Sequence, residues 1–118
     1  MDLATLLPIL KPNRQLMNIN FEYDHVKASE RLEIMAGRKL EKLEDKYDFI
    51  IRADVFFKSE NTSEQDTGKI CSIRLSMPGP RLFAETSSVG YEAAIASTVE
   101  DLERQLRRRK EKMKRSLK

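Results

Sequence analysis

The sequence predicts an α+β fold, a four-stranded sheet with two helices packed on one face, in the order βαβββα. Three observations predict it. Four short segments alternate apolar and polar residues with a period of two, while two longer segments repeat apolar residues at the helical period. The alternation leaves each strand apolar on one side only, so both helices pack most economically against that side. At 118 residues, with 40% apolar and 35% charged residues, the chain holds apolar material for one core and no more.

The opening MDLATLLPILKPNRQ carries a short apolar patch broken by Pro8 and Pro12. Asp2 precedes the patch and Lys11 follows it, which does not suit a secretory signal. Residues 1–16 are therefore expected to form a flexible, dispensable extension to a single domain over 17–118, with Met17 as an alternative start. From Met17, Ile19, Phe21 and Tyr23 alternate with Asn18, Asn20 and Glu22, as in a half-buried first strand. Ser29 has the chemistry of an N-cap, with Glu30 in the first turn of a helix that runs to about Lys46.

Leu32, Met35, Ala36, Leu40, Leu43 and Tyr47 give that helix one apolar face. Its charges are sorted. Arg31, Arg38, Lys39, Lys42 and Lys46 occupy one flank, and Glu30, Glu33, Glu41, Glu44 and Asp45 the other. An indifferent solvated face intersperses the signs, although some sorting serves i,i+4 pairs. A second strand follows, with Ile51, Ala53, Val55 and Phe57 on one face and Arg52, Asp54, Phe56 and Lys58 on the other. SENTSEQDTG, residues 59–68, reads as a mobile hairpin loop.

In the third strand Cys71, Ile73, Leu75 and Met77 are expected inward, and Ser72, Arg74 and Ser76 outward. Met77-Pro78-Gly79-Pro80 signals a tight turn into a short fourth strand, Leu82–Ser87, with Phe83 buried. Gly90 precedes the second helix. Its stripe of Tyr91, Ile95, Thr98, Val99, Leu102, Leu106 and Met113 falls within about 60° of one line.

The last part of this helix concentrates the charge. From Arg104 onward there are nine Lys/Arg and one acid, a net of +8, although the whole chain is only +3. Everything before Arg104 therefore carries a net of −5. A solvated, fraying helix end is the plain reading of such a run. Like charges at this density repel, however, and a polyanionic partner compensates them.

Other classes find little support. A lone Cys71 in an apolar run cannot make an internal disulfide and reads as a buried hydrophobe, while the single His25 reads as a surface loop residue. There is no Gly-rich phosphate loop, nucleophile motif or metal-ligand spacing, and the carboxylates read as solvated. No enzyme, cofactor, metal or small-molecule substrate is expected. No apolar run reaches the roughly 20 residues of a membrane span, so the protein is expected to be soluble and cytoplasmic.

From Met17 to about Lys114 the chain resembles the ribosome hibernation promoting factor and ribosome-associated translation inhibitor family, in its short form. The resemblance rests on MNINFEYD, on KLEKLEDKYDFI (residues 39–50), on the strands joined by a Pro-Gly turn, and on AAIASTVEDLERQLRRRKEK (residues 93–112). It implies a fold similar to double-stranded RNA-binding domains with an extra leading strand. It also implies a stress-phase, stationary-phase translation inhibitor that binds the small ribosomal subunit in the mRNA channel, where mRNA and tRNA would sit.

The family's K-L-x-K-L lysines fall on Lys39 and Lys42, and its basic residues at and beyond RQL on Arg104, Arg108, Lys110 and Lys112. Together with Arg38, Lys46 and Arg107 on the same patches, these nine are the expected rRNA-binding residues. Asp101 stands where a basic residue is common before RQL, and Val89-Gly90-Tyr91-Glu92-Ala93-Ala94 replaces the D-M-Y-A-A motif of some members. The long form's ribosome-pairing domain is not matched, so pairing of ribosomes is expected to need a second factor. The alternative, an autonomous double-stranded RNA binder, wants its basic cluster at the N-terminus of the last helix. Here the charge sits at the other end. A domain that docks through its open sheet face would use Phe56.

Overall fold

The computed structural model of the chain describes residues 17–60 and 67–116. The expected extension over residues 1–16 and most of the hairpin loop lie outside the described residues. The elements are β1 (Asn18–Asp24), α1 (Glu30–Lys46), β2 (Arg52–Ser59), β3 (Lys69–Ser76), β4 (Leu82–Ser88) and α2 (Tyr91–Ser116). The strands lie in the order β1-β2-β3-β4, with β1 parallel to β2 and the other pairs antiparallel. A parallel neighbour requires a crossover, and α1 supplies it. The α+β reading and its βαβββα order are borne out. Among the described residues no helix is long and apolar enough to cross a membrane.

Both helices cover the same face of the sheet. Leu32, Ala36, Leu40 and Leu43 of α1 and Ile95, Leu102 and Leu106 of α2 join Val55, Phe57, Cys71, Ile73 and Leu75 in one core. Phe57 is its largest fully buried side chain, with Tyr23 stacked at 5.4 Å and Tyr91 edge-on at 5.7 Å between ring centroids. Ser29 caps α1 as expected, its hydroxyl oxygen accepting from Leu32 N–H at 3.2 Å. The Thr98 hydroxyl, on the apolar stripe of α2, lies 2.7 Å from Ala94 O and 3.1 Å from Cys71 O, so its burial carries no unsatisfied group.

Four expectations are corrected. Phe83 is 52% exposed and Ala84 is the buried residue of β4. The register explains this: Leu75 pairs with Leu82 and Arg74 with Phe83, so Phe83 shares the outward parity of Arg74. Ile51 is 57% exposed, because β2 begins only at Arg52 and Tyr47 and Ile50 already close that end of the core. Met113 is 40% exposed, because α2 runs past the last core layer at Leu106. Finally, not all carboxylates are solvated. Asp54, on the open face, is covered by Arg52 and Arg74, and Glu44 is buried on α1.

The two helices lie side by side and run in the same direction. Arg31 at the start of α1 pairs with Glu92 at the start of α2, and Lys46 at the end of α1 pairs with Glu103, midway along α2, at 3.0 Å. The second half of α2 consequently extends beyond its neighbour. The β3–β4 turn places Gly79 at φ +93°, a conformation that glycine tolerates and other residues resist.

Candidate nucleic-acid interface

The sorted charges of α1 have a structural cause on both flanks. Its acidic flank faces β1, where Glu33 accepts from the Tyr23 hydroxyl at 2.7 Å and Glu44 accepts from Met17 N–H at 2.7 Å. Burial pushes the Tyr23 phenol above its ordinary range, and the Glu33 hydrogen bond pushes it further. The basic flank faces α2. Arg31 holds the Glu92 carboxyl below the usual carboxylate range through their hydrogen bond, and Lys46 is engaged with Glu103.

Between these two ion pairs, Lys39 and Lys42 stand over the interhelical groove. That groove, of about 420 Å³, is floored by Leu43, Ala96 and Val99, and Glu100 and Glu103 lie in its α2 wall. On the other side of the two lysines, α1 carries a second hollow that includes Arg38. Beyond the end of α1, a third hollow of about 410 Å³ gathers Lys46, Arg107, Lys110 and Lys114 beside Tyr47, with Asp45 and Glu111 as its acids. The structure thus brings Arg38, Lys39, Lys42 and Lys46 into one row and joins its end to Arg107 and Lys110 of α2.

Not every cation of the tail is available to a ligand. Lys110 Nζ donates to the Lys46 carbonyl at 3.1 Å and lies 5.4 Å from the centre of the Tyr47 ring, so it caps α1 from a neighbouring helix. Arg109 donates to Pro78 O at 3.4 Å and Pro80 O at 2.8 Å, fastening the β3–β4 turn to α2. Gln105, one turn earlier, donates to Phe83 O at 3.0 Å and fastens the edge strand. Gln105, Arg109 and Lys112 lie at i, i+4 and i+7, so Lys112 continues the row on the β4 side, apart from the groove. Arg104 pairs with Asp101 at 3.4 Å.

What remains is a set of cations without a carboxylate. Arg38, Lys39, Lys42, Arg107, Arg108 and Lys112 form no ion pair among the described residues. Exposed Arg and Lys that no acid neutralises keep their counterions until a polyanion displaces them. Sequence reasoning missed Lys114 as part of the joined patch, although its i+4 spacing from Lys110 is a usable signal. It also missed that Lys46 and Lys110 are held within the fold, for which α1–α2 proximity had to be known, and that Arg104 pairs with Asp101 at the i,i+3 spacing the sequence does show. Glu92, at the start of α2, is engaged with Arg31 and is no phosphate-binding cluster.

The sequence and the fold both resemble those of known proteins. A family model described as "Sigma 54 modulation protein / S30EA ribosomal protein" matches residues 19–114. A ribosome hibernation promoting factor of Pseudomonas putida is 28% identical over 96 residues, spanning 81% of this chain and 89% of that protein. Among solved structures, a ribosomal subunit interface protein from Coxiella burnetii superposes with a TM-score of 0.68 at 22% identity, over 80% of this chain and 98% of that one. The N-terminal domain of Protein Y from Thermus thermophilus gives a TM-score of 0.65 at 22% identity, over 78% and 98%. At those identities the solved structures speak for the fold.

Proposed function

The chain belongs to the Sigma 54 modulation protein / S30EA ribosomal protein family, and from that premise we propose that it is a ribosome-binding translation inhibitor of the hibernation type. Residues 17–118 act as one domain that occupies the mRNA and tRNA channel of the small subunit, in the cytoplasm, during starvation or stationary phase. It is a binding factor and not an enzyme. The name of its Pseudomonas relative supports the hibernation role.

The observation that carries the reading is the set of cations on two parallel helices that form no ion pair among the described residues. Arg38, Lys39, Lys42, Arg107, Arg108 and Lys112 meet rRNA phosphates directly. Lys46, Arg104 and Lys110 keep their partners within the fold and add to the local potential. Bound in this way, the domain excludes mRNA and tRNA by occupation.

The test is filter binding to purified small subunits between low and physiological salt. Replacing Lys39, Lys42, Arg107 and Arg108 with Gln removes four counterion-releasing contacts, so the slope of log affinity against log salt should become shallower by roughly three to four units. None of the four lies in the core, so the melting temperature should hold. An unchanged slope overturns the assignment.

A further inference from the structure

Outside the Lys39–Lys42 pair, α1 bears a hollow of about 650 Å³ with an apolar floor and a cationic rim. Ile34 and Met35 make the floor, and Ile34 is 46% exposed. Arg38, Lys39 and Lys42 stand on the rim, with Glu30 as its acid.

An exposed isoleucine among Arg31, Arg38, Lys39 and Lys42, with Glu30 beside them, is poorly accounted for by phosphate binding alone, because a phosphate gains nothing from an aliphatic floor. An apolar protein side chain would match the floor and leave the cations uncompensated. A nucleotide satisfies both, with its base flat on the floor and its phosphates on the rim. The neighbouring groove also sets the orientation. Glu100 in its wall repels phosphate, which favours an RNA backbone on the Arg38 side of the lysine pair.

We propose that this hollow receives one unstacked nucleobase of an RNA strand, with the flanking phosphates held by Arg38 and Lys42. The proposal rests on the RNA-binding reading above and adds to it the state of the RNA. In an A-form duplex the base faces are covered by their neighbours, so only a loop, bulge or single strand can offer a face to Ile34. Arg38 and Lys42 stand at i and i+4, neighbours on the helix surface beside Ile34.

Two variants test it, Ile34→Asn and Ile34→Leu, in filter binding to purified small subunits and in base-specific chemical probing of the rRNA in the complex. Ile34→Asn should weaken binding about five- to tenfold by removing apolar contact, with the salt slope unchanged because no charge is lost. An unpaired nucleotide whose base the wild-type protein protects should regain reactivity. Ile34→Leu should keep both affinity and protection. Ile34→Asn binding as tightly as wild type overturns the proposal, and so does weaker binding with no base exposed, which identifies the occupant as a protein side chain. Wild-type protein that does not bind small subunits overturns the RNA-binding reading itself, a result distinguishable from an indifferent Ile34.

Discussion

Arg109 donates hydrogen bonds to Pro78 O and Pro80 O, whereas Arg108, one residue earlier, meets no carboxylate among the described residues. The two arginines should therefore separate in their effects. Arg109→Gln should cost about 1 kcal/mol of stability, the worth of hydrogen bonds from a charged donor at a partly exposed site, and leave the salt slope of ribosome binding unchanged. Arg108→Gln should leave denaturant unfolding unchanged and make the slope shallower by about one unit. The run of charge was legible as a run. Which arginine holds a turn was not, since the Pro78 and Pro80 carbonyls lie far away in sequence and only the fold brings them to Arg109. Cys71 was legible as a buried hydrophobe, and its burial has a second consequence. Burial pushes the thiol from its ordinary 9.0 up to about 12, the nearby Thr98 hydroxyl opposing only part of this. Above about pH 9 the unfolded chain releases this proton and the folded chain keeps it, so the unfolded state binds fewer protons and stability falls as pH rises. The slope approaches about 1.4 kcal/mol per pH unit. The stabilities of Cys71→Ala and wild type, measured by urea unfolding at pH 8 and pH 10, should converge as pH rises; parallel curves would refute the assignment.

At the scale of elements, periodicity served well where an element is covered along its whole length and poorly where it ends. The apolar stripe of α1 was read without error because the sheet lies beneath all of it. Phe83 was misplaced because a short strand offers few alternations, and its phase is set by the length of the turn that begins at Met77 and by pairing with Arg74. The flanks of α1 carried a real signal with a mixed meaning: Arg31 and Lys46 pair with α2, while Glu33 and Glu44 hold Tyr23 and Met17. The acids are accordingly unequal. Glu44, buried and accepting from Met17 N–H, should cost about 1–3 kcal/mol when replaced by Ala, because a buried donor loses its partner. Glu41, exposed on the same helix, should cost within about 0.5 kcal/mol. Urea unfolding of the two single variants decides this, and equal costs would show that Glu44 does no more than a solvated carboxylate.

For the whole molecule, the polarity of charge along the chain becomes polarity in space. The net of −5 before Arg104 and the net of +8 from Arg104 onward meet where α2 passes the end of α1, and the Lys110 cap on the Lys46 carbonyl joins the two parts. Long-range attraction alone would use the sum of these charges, while a fit to an RNA channel would use their positions. Adding positive charge elsewhere separates the two. Glu41→Gln with Asp48→Asn raises the net charge by two at exposed positions outside the three hollows, whereas Glu33 and Glu44 are unsuitable because they hold Tyr23 and Met17. If position governs binding, this pair should change the affinity for small subunits by less than about twofold at physiological salt, where charges beyond roughly 8 Å are screened. It should also fail to restore affinity when combined with Lys39→Gln and Lys42→Gln, which together remove the same amount of charge. If the summed field governs binding, the four substitutions should cancel and the combined variant should bind like wild type at every salt concentration. Recovery of wild-type affinity in the combined variant would therefore overturn the assignment of Lys39 and Lys42 as phosphate contacts.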